Sequence, residues 1–169
     1  MDKFIELKEG ELAEKKPAIT SSGGVDGGRL VALDENTGKL DPSVMPSGIG
    51  ADNITATCSD NLSPGNLVNL WVDGGVLKAR KANASLGYRA SGFVLDAGSV
   101  GNTIQVSMEG SMVGLGAIVP GLPYFLSEST PGTHSDSPPT SSDFILQEIG
   151  TGRSLDSISF EPQSPVLLA

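Results

Sequence analysis

Residues suited to acid–base or nucleophilic chemistry are few in this chain. His134 is its single histidine and lies in a polar, proline-rich stretch, while Cys58 is its single cysteine. A nucleophilic triad needs a base held beside an activated nucleophile, and the chain has no nucleophile-elbow motif to supply one. A zinc site would also need more Cys and His ligands than these two residues offer. We therefore expect His134 at the surface, Cys58 as a small buried apolar residue, and no enzymatic activity.

The candidate metal-binding and phosphate-binding motifs lack the required spacing or residue types. Asp34, Asn36 and Asp41 offer oxygen ligands around Gly38, but an EF-hand loop needs glycine at its sixth position and glutamate at its twelfth, and Gly38 is fifth. The sequence NTGKL resembles the end of a phosphate-binding loop, yet Leu40 stands where Ser or Thr is required. The glycines between residues 110 and 116 lack the spacing of a dinucleotide fingerprint. We predict that residues 34–41 form a turn of Asx and Gly residues. We expect no metal or cofactor site in the chain.

Charge and composition argue against several kinds of partner. The net charge of -9 and the isoelectric point near 4.4 disfavour nucleic acid, because phosphate contacts rely on clustered Lys and Arg. A lone cysteine permits no intrachain disulfide, as expected for a protein assembled in a cytoplasm. The start of the chain is charged and lacks the apolar core of a secretory signal, and no apolar run reaches the roughly 18 residues of a membrane span. We expect no membrane partner.

Aromatic residues are spread over different predicted strands. A stacking platform for single-stranded nucleic acid would need such residues on one surface, and the acidic charge opposes that role. We therefore predict that they pack in the core. The residues in question are Trp71, Tyr88, Phe93, Tyr124 and Phe125.

Short strands and tight turns dominate the pattern. Twenty-two Gly and eleven Pro suit an all-β domain better than a helical bundle. Residues 66–72 and 76–82 read as a β-hairpin closed by a short bulged loop at Asp73, Gly74 and Gly75. Residues 103–109 alternate apolar and polar side chains, as a half-buried strand does. Seven or eight such strands would form a small β-barrel, β-tulip-like body or sandwich.

A faint internal repeat relates two parts of this strand-rich region. SPGNLVNL at 63–70 resembles VPGLPYFL at 119–126, and each is followed by an apolar strand that contains glycine, at Gly92 and Gly150. In both copies a Pro-Gly turn would begin an apolar strand. The repeat suggests a pseudo-symmetric barrel.

Composition divides the chain into an arm and a body. Residues 1–50 are predicted to form an extended N-terminal arm and strap, with a flexible hinge at the glycine-rich stretch 21–28. Residues 51–169 are predicted to form the β-domain. Within it, the proline-rich loop 129–142 has no apolar anchor and is expected to protrude into solvent with limited flexibility.

Several short motifs are distributed over residues 38–169. They are GKLDPSVMPSGIG, a basic strand at 78–82, a GFV strand at 92–94 and a Pro-Gly-flanked hairpin at 120–132. Together they resemble structural proteins of tailed-phage virions, most closely the capsid decoration, or cement, proteins and related head-fibre modules. The motifs are short, and no individual binding residue can be matched to the family.

Such a resemblance implies a protein, often a homotrimer, that binds the major capsid protein on the outer surface of an assembled shell and stiffens it. An extended arm would wrap neighbouring capsid subunits and order on contact. Apolar and strand-like residues of the first 50 positions are the candidate contacts with the capsid. They are Phe4, Ile5, Leu7, Leu12, Arg29, Leu30, Val31, Leu33, Leu40, Val44 and Met45.

Two other functions compete with decoration. One is a tail, baseplate or head-fibre adaptor that attaches through residues 1–50 and presents the loop 129–142 to a receptor or glycan. The other is a carbohydrate-binding or hydrolytic β-module that uses Trp71, Tyr88 or His134. For each capsid-contact candidate, packing on the protein's own body is the alternative role.

Overall fold

The computed structural model describes residues 4–8, 11–36, 38–45 and 52–169. Strands dominate these residues, and the helical elements among them are two 3₁₀ turns, Gly24–Asp26 and Pro42–Val44. Within the same ranges no helix is long and apolar enough to cross a bilayer. The predicted all-β class is confirmed. The chain divides into two compact units, Met1–Gly50 and Ala51–Ala169, called here the N-terminal and C-terminal units.

The strands of each unit are numbered in chain order. Those of the N-terminal unit are β1 (Phe4–Lys8) and β2 (Glu11–Lys15). The first strands of the C-terminal unit are β3 (Asn53–Cys58), β4 (Leu67–Asp73), β5 (Val76–Lys81), β6 (Gly92–Phe93) and β7 (Thr103–Ser107). They are followed by β8 (Gly110–Met112), β9 (Pro123–Leu126), β10 (His134–Ser135), β11 (Ile145–Leu146), β12 (Glu148–Ser154), β13 (Ser157–Phe160) and β14 (Val166–Leu167).

A closed five-stranded barrel occupies the first half of the C-terminal unit. Its strand order is β3-β5-β4-β6-β7, and β3 completes the circle by pairing with β7 antiparallel and with β5 parallel. A barrel of so few strands is narrow, so small and β-branched side chains fill it. Its buried residues are Ala56, Cys58, Leu62, Val68, Ala79, Val94, Ile104 and Val106. The predicted alternation in β7 is confirmed by Ile104 and Val106, which both belong to this core.

The predicted β4–β5 hairpin is present, and its loop is tighter than expected. Asp73 pairs directly with Val76, so the loop contains two residues, Gly74 and Gly75, with φ angles of 59° and 81°. Positive φ at both positions is the signature of a type I′ turn, whose twist matches that of the flanking strands. Because Gly74 and Gly75 both adopt positive φ, the loop closes in two residues and the predicted bulge is not formed.

An open five-stranded sheet forms the second half of the unit. Its order is β10-β9-β12-β13-β8, and β11 pairs with β14 beside it. A second core joins this sheet to the barrel. Phe93 of the barrel and Phe160 of the sheet are each about 1 % exposed, and their rings meet edge to face with centroids 5.3 Å apart. Leu67, Met112 and Ile158 belong to the same cluster.

The internal repeat corresponds to a repeated pairing. In each copy the strand after the Pro-Gly turn pairs with the glycine-containing strand, β4 with β6 and β9 with β12. The suggested pseudo-symmetric barrel is wrong, because only the first copy lies in a closed barrel. Closure there depends on the parallel β3–β5 pair, whereas the second sheet ends at β10 and β8.

Candidate functional site

The hairpin at the start of the N-terminal unit presents apolar side chains to solvent. In the register of β1 and β2, Ile5 lies opposite Glu14 and Leu7 opposite Leu12. Strand alternation therefore puts Ile5 and Leu12 on the same face. These two side chains are 69 % and 77 % exposed. A two-stranded hairpin without a layer behind it is marginally stable in water, so this face is suited to packing against another surface.

Residues 18–45 close on themselves through backbone hydrogen bonds. The Ala18 amide donates to the Leu30 carbonyl at 2.8 Å, and the Ala32 amide donates to the Ala18 carbonyl at 3.0 Å. Farther along, the Ser21 amide donates to the Ser43 hydroxyl at 2.8 Å. The predicted extended strap is therefore a looped segment whose two ends meet.

The predicted hinge 21–28 contains a defined turn. Asp26 ends a 3₁₀ turn, and its carboxylate accepts from the Ser22 amide at 2.6 Å. The same carboxylate forms an ion pair with Arg29 at 3.2 Å. Arg29, a candidate capsid contact, thus has an intramolecular partner.

The Asp34–Asp41 stretch is a turn, as predicted. The Asn36 amide donates to the Asp34 carboxylate at 3.0 Å, and Gly38 has a φ of 65°. Hydrogen bonds from the Ser43 side chain and backbone lower the pKa of the Asp41 carboxyl. In the described parts of the chain, no group of three or more His, Cys, Asp or Glu residues is placed to hold a metal ion.

Most described apolar side chains of the N-terminal unit are exposed, and among them Ala18 alone is a buried one. Val44 is half-buried, and the side chains of Phe4 and Leu7 lie outside what the structure describes. Val25, which lies inside the glycine-rich stretch and is not among the predicted capsid contacts, is 80 % exposed. The exposed set is Ile5, Leu12, Val25, Leu30, Val31, Leu33, Leu40 and Met45.

A second feature lies on the outer face of the β4–β5 hairpin. The Arg80 guanidinium carbon lies 3.4 Å from the Tyr88 ring centroid and 4.9 Å from that of Trp71. Lys78 lies 5.6 Å from the Trp71 centroid and pairs with Asp73 at 2.6 Å. Aromatic rings and cations therefore alternate along this face.

The prediction that the aromatic residues pack in the core is wrong for three of the five. Phe93 and Tyr124 are buried. Phe125 in β9 is half-buried, and Trp71 and Tyr88 are half-buried on the barrel exterior. For Trp71 the sequence contained a signal. In the alternation of β4, Trp71 lies on the same side of the strand as the polar residues Asn69 and Asp73.

His134 and Cys58 belong to different parts of the C-terminal unit, His134 to the open sheet and Cys58 to the barrel. His134 forms part of β10, and its ring meets that of Tyr124 edge to face at 5.4 Å. Burial lowers the pKa of His134, and Asp136 partly opposes that shift. Burial raises the pKa of the Cys58 thiol inside the barrel. The predicted surface histidine is thus half-buried, and the predicted buried cysteine is confirmed.

The loop 129–142 is anchored near its beginning. The Gly132 carbonyl accepts from the Leu67 amide at 2.9 Å, and the Gly132 amide donates to the Ala82 carbonyl at 2.7 Å. Pro139 is buried as well. These contacts hold part of the loop against the barrel. The loop was predicted to protrude into solvent, and this part of it does not.

Comparison with known proteins gives a likeness to a solved structure. No protein-family model matches the chain, and no curated protein sequence matches it. Among solved structures, the chain is similar to the N base of the head fibre gp8.5 of bacteriophage phi29, with 16 % identity and a TM-score of 0.43. The alignment covers 64 % of this chain and 92 % of that one.

Proposed function

We propose that the protein is a non-enzymatic structural component of a tailed-phage virion that binds the outside of the assembled capsid and stabilises the shell. The observation that carries the proposal is that most described apolar side chains of the N-terminal unit are exposed, whereas Ala18 is buried and Ile19, Ala32 and Val44 are half-buried. Exposed apolar surface of this kind marks interaction sites. The motif resemblance to decoration proteins supplies the partner, the major capsid protein.

Attachment through the N-terminal unit would stabilise the shell by mass action. A ligand that binds the mature lattice and not the loosened one stabilises it by ~2.7 kcal/mol per site at about 100 times its dissociation constant. If the protein is a homotrimer, three N-terminal units would engage neighbouring sites at high effective concentration. No bond has to be made or broken in this mechanism.

The charge of the chain agrees with a position on the outer surface. With a net charge of -9, the protein repels packaged nucleic acid and other acidic surfaces. The C-terminal unit has its own cores and would remain outside the shell while the N-terminal unit makes the contact.

A matched pair of substitutions tests the attachment surface. Leu12 in the N-terminal unit and Leu155 in the C-terminal unit are 77 % and 75 % exposed. Leu12→Asp places a charge in the proposed interface and is expected to weaken binding to purified expanded heads at least about tenfold, or ~1.4 kcal/mol. Leu155→Asp, the control, is expected to leave binding unchanged. Sedimentation of heads with bound protein measures both.

The location of the protein is tested separately. Hundreds of copies per virion on a stained gel, with saturable binding to expanded heads and none to unexpanded precursors, are expected for decoration. A handful of copies, or binding to tails and not to heads, would contradict the proposal and favour a tail, baseplate or head-fibre adaptor.

The aspartate variants test a different point. Equal loss of head binding in Leu12→Asp and Leu155→Asp would contradict the assignment of the N-terminal unit as the attachment surface.

A further inference from the structure

An open groove of about 610 Å³ lies on the barrel exterior, beside the hairpin face. Its volume is within the roughly 300–1,000 Å³ of small-molecule sites. Residues from separate segments line it, including Asp60 and Asn61 after β3, Arg80 in β5, Leu86 and Tyr88. The parallel strands β3 and β5 both end at this edge of the barrel, and the groove is therefore built on paired strands as well as loops.

The backbone around the groove is held in place by hydrogen bonds. The Ser59 amide donates to the Ala79 carbonyl at 2.7 Å, which extends the β3–β5 pairing to the groove. Asn83 and Tyr88 exchange two backbone hydrogen bonds, of 2.8 and 2.9 Å. Asn83 is 2 % exposed, and its carboxamide oxygen accepts from the Leu86 amide at 3.0 Å. The loop that carries Leu86 and Tyr88 is thus preorganised.

The charged and polar side chains of the groove are oriented by the protein. The Asp60 carboxylate accepts from the Lys81 amide at 2.8 Å through one oxygen. The Asn61 carboxamide oxygen accepts from the Val100 amide at 3.2 Å, which directs its amide nitrogen elsewhere. Arg80 donates through Nε to Asn69 at 3.0 Å, and its guanidinium carbon lies 3.4 Å from the Tyr88 ring centroid.

Several hydrogen-bonding groups in the groove have no partner within the described chain. No hydrogen bond uses the two Nη atoms of Arg80, the second oxygen of Asp60 or the Tyr88 hydroxyl. The Ser59 hydroxyl oxygen, also in the groove lining, is buried and unpartnered. Buried polar groups without partners are costly. Donors and acceptors are therefore available side by side.

We infer that this groove binds a neutral saccharide. Each sugar hydroxyl both donates and accepts, so it can use guanidinium, carboxylate, amide and hydroxyl groups together. Leu86 and the edge of Tyr88 provide apolar contact for the C–H face of the sugar, since Leu86 is 60 % exposed. The site lies in the C-terminal unit and would leave the N-terminal unit available for the shell.

Other ligand classes match the groove less well. Arg80 and Lys81 repel a cation, and Asp60 offsets part of their attraction for an anion. An extended peptide would need an unpaired strand edge, but β5 is paired on both sides, with β4 and with β3. A neutral, hydroxyl-rich ligand satisfies all three restrictions.

The test titrates the full-length protein with a panel of neutral oligosaccharides built from glucose, galactose, mannose or N-acetylglucosamine. Trp71 is the single tryptophan and lies next to Arg80, so its fluorescence and the amide resonances around the groove report binding. We expect saturable changes confined to residues 59–61 and 80–88 with at least one oligosaccharide. Arg80→Met keeps the length of the side chain and removes its donors, and it is expected to weaken that binding at least about tenfold.

Two further variants keep the test decisive. Arg153→Met is the matched control, because Arg153 is an arginine of the other sheet that donates to Ser111 at 2.8 Å, and it should not alter binding. Asp60→Asn retains an acceptor for the Lys81 amide and tests the groove if Arg80→Met does not fold, with at least a several-fold loss expected. Three results would overturn the inference. They are absence of saturable binding across the panel, wild-type affinity in both Arg80→Met and Asp60→Asn, and binding of inorganic phosphate or heparin but of no oligosaccharide. Capsid binding plays no part in these measurements.

Discussion

The two units of this chain differ in what their apolar residues contact. In the C-terminal unit, Phe93, Leu67 and Val106 are buried in continuous cores. In the N-terminal unit, Leu12, Val25 and most other described apolar side chains are exposed. The contacts that hold residues 18–32 together include backbone hydrogen bonds. Apolar burial is the dominant favourable term in folding. The C-terminal unit therefore has the buried apolar surface that folding requires, whereas the described part of the N-terminal unit buries little of its apolar surface.

The largest expected difference between the units comes from one glycine in each. Gly150 has a φ of 144°, and a Cβ added there would clash with the Ser159 carbonyl oxygen. Because backbone would have to shift across two paired strands, we expect Gly150→Ala to lower the free energy of unfolding by more than about 4 kcal/mol. Urea unfolding followed by Trp71 fluorescence measures the loss.

The matched control is Gly28→Ala in the N-terminal unit. Gly28 also has a positive φ, 77°, but no atom lies within 4 Å of an added Cβ. The local strain costs about 1–2 kcal/mol, and it falls on a residue that belongs to neither of the C-terminal core clusters. Urea unfolding of the C-terminal unit should be unchanged, and similar losses in the two variants would contradict the distinction between the units.

Core truncation is the next largest effect. Phe93→Ala removes a ring that packs against Phe160 in the core shared by barrel and sheet, and we expect it to cost about 3–5 kcal/mol of stability. Leu12→Ala in the N-terminal unit is the counterpart and should stay within about 0.5 kcal/mol. Calorimetric unfolding compares them. A loss near zero for Phe93→Ala would show that the shared core contributes little.

A smaller, pH-dependent effect is expected from His134. Its pKa is lowered in the folded state because burial disfavours the imidazolium. As the pH falls below the ordinary histidine pKa of about 6.5, the unfolded chain takes up a proton that the folded chain does not. Stability therefore decreases with falling pH from about 7, and the decrease ends below the folded pKa.

His134→Gln, which cannot titrate, supplies the comparison for this effect. Denaturation midpoints between pH 7.5 and 5 should fall less steeply in the variant than in the wild type. Parallel pH profiles would show that His134 titrates alike in both states.

The smallest expected effect, essentially none, comes from deleting residues 1–50. The thiol of Cys58, 2 % exposed inside the barrel, reacts only when the barrel opens, since burial also raises its pKa. Its labelling rate by a thiol reagent should be the same in the full chain and in the truncated one. Faster labelling after truncation would show that the N-terminal unit supports the barrel.

Local patterns in the sequence predicted local structure well. The β4–β5 hairpin, the alternating strand β7 and the turn around Gly38 follow from side-chain period and from glycine chemistry over a few residues. The apolar candidates Ile5, Leu12 and Leu30 could be named because a polar segment with scattered apolar residues cannot bury them by itself. Decoration, the capsid partner and the trimer remain predictions.

The groove was not predictable in the same way. Asp60, Arg80 and Tyr88 come from three segments, and no pattern of spacing marks them as neighbours. Tyr88 and Trp71 were assigned to the core because aromatic burial is the common outcome. Only the register of β4 against β5 placed Trp71 opposite Lys78 and brought Arg80 between two rings.

By itself, the sequence determined the all-β class, the division near residue 50 into regions of different composition, and the acidic charge. These depend on composition and on periods of two to four residues, which act locally. The tertiary structure decided which half of the internal repeat closes into a barrel and which stays open. Closure required the parallel pairing of β3 with β5, a contact between strands about 20 residues apart that neither strand specifies alone.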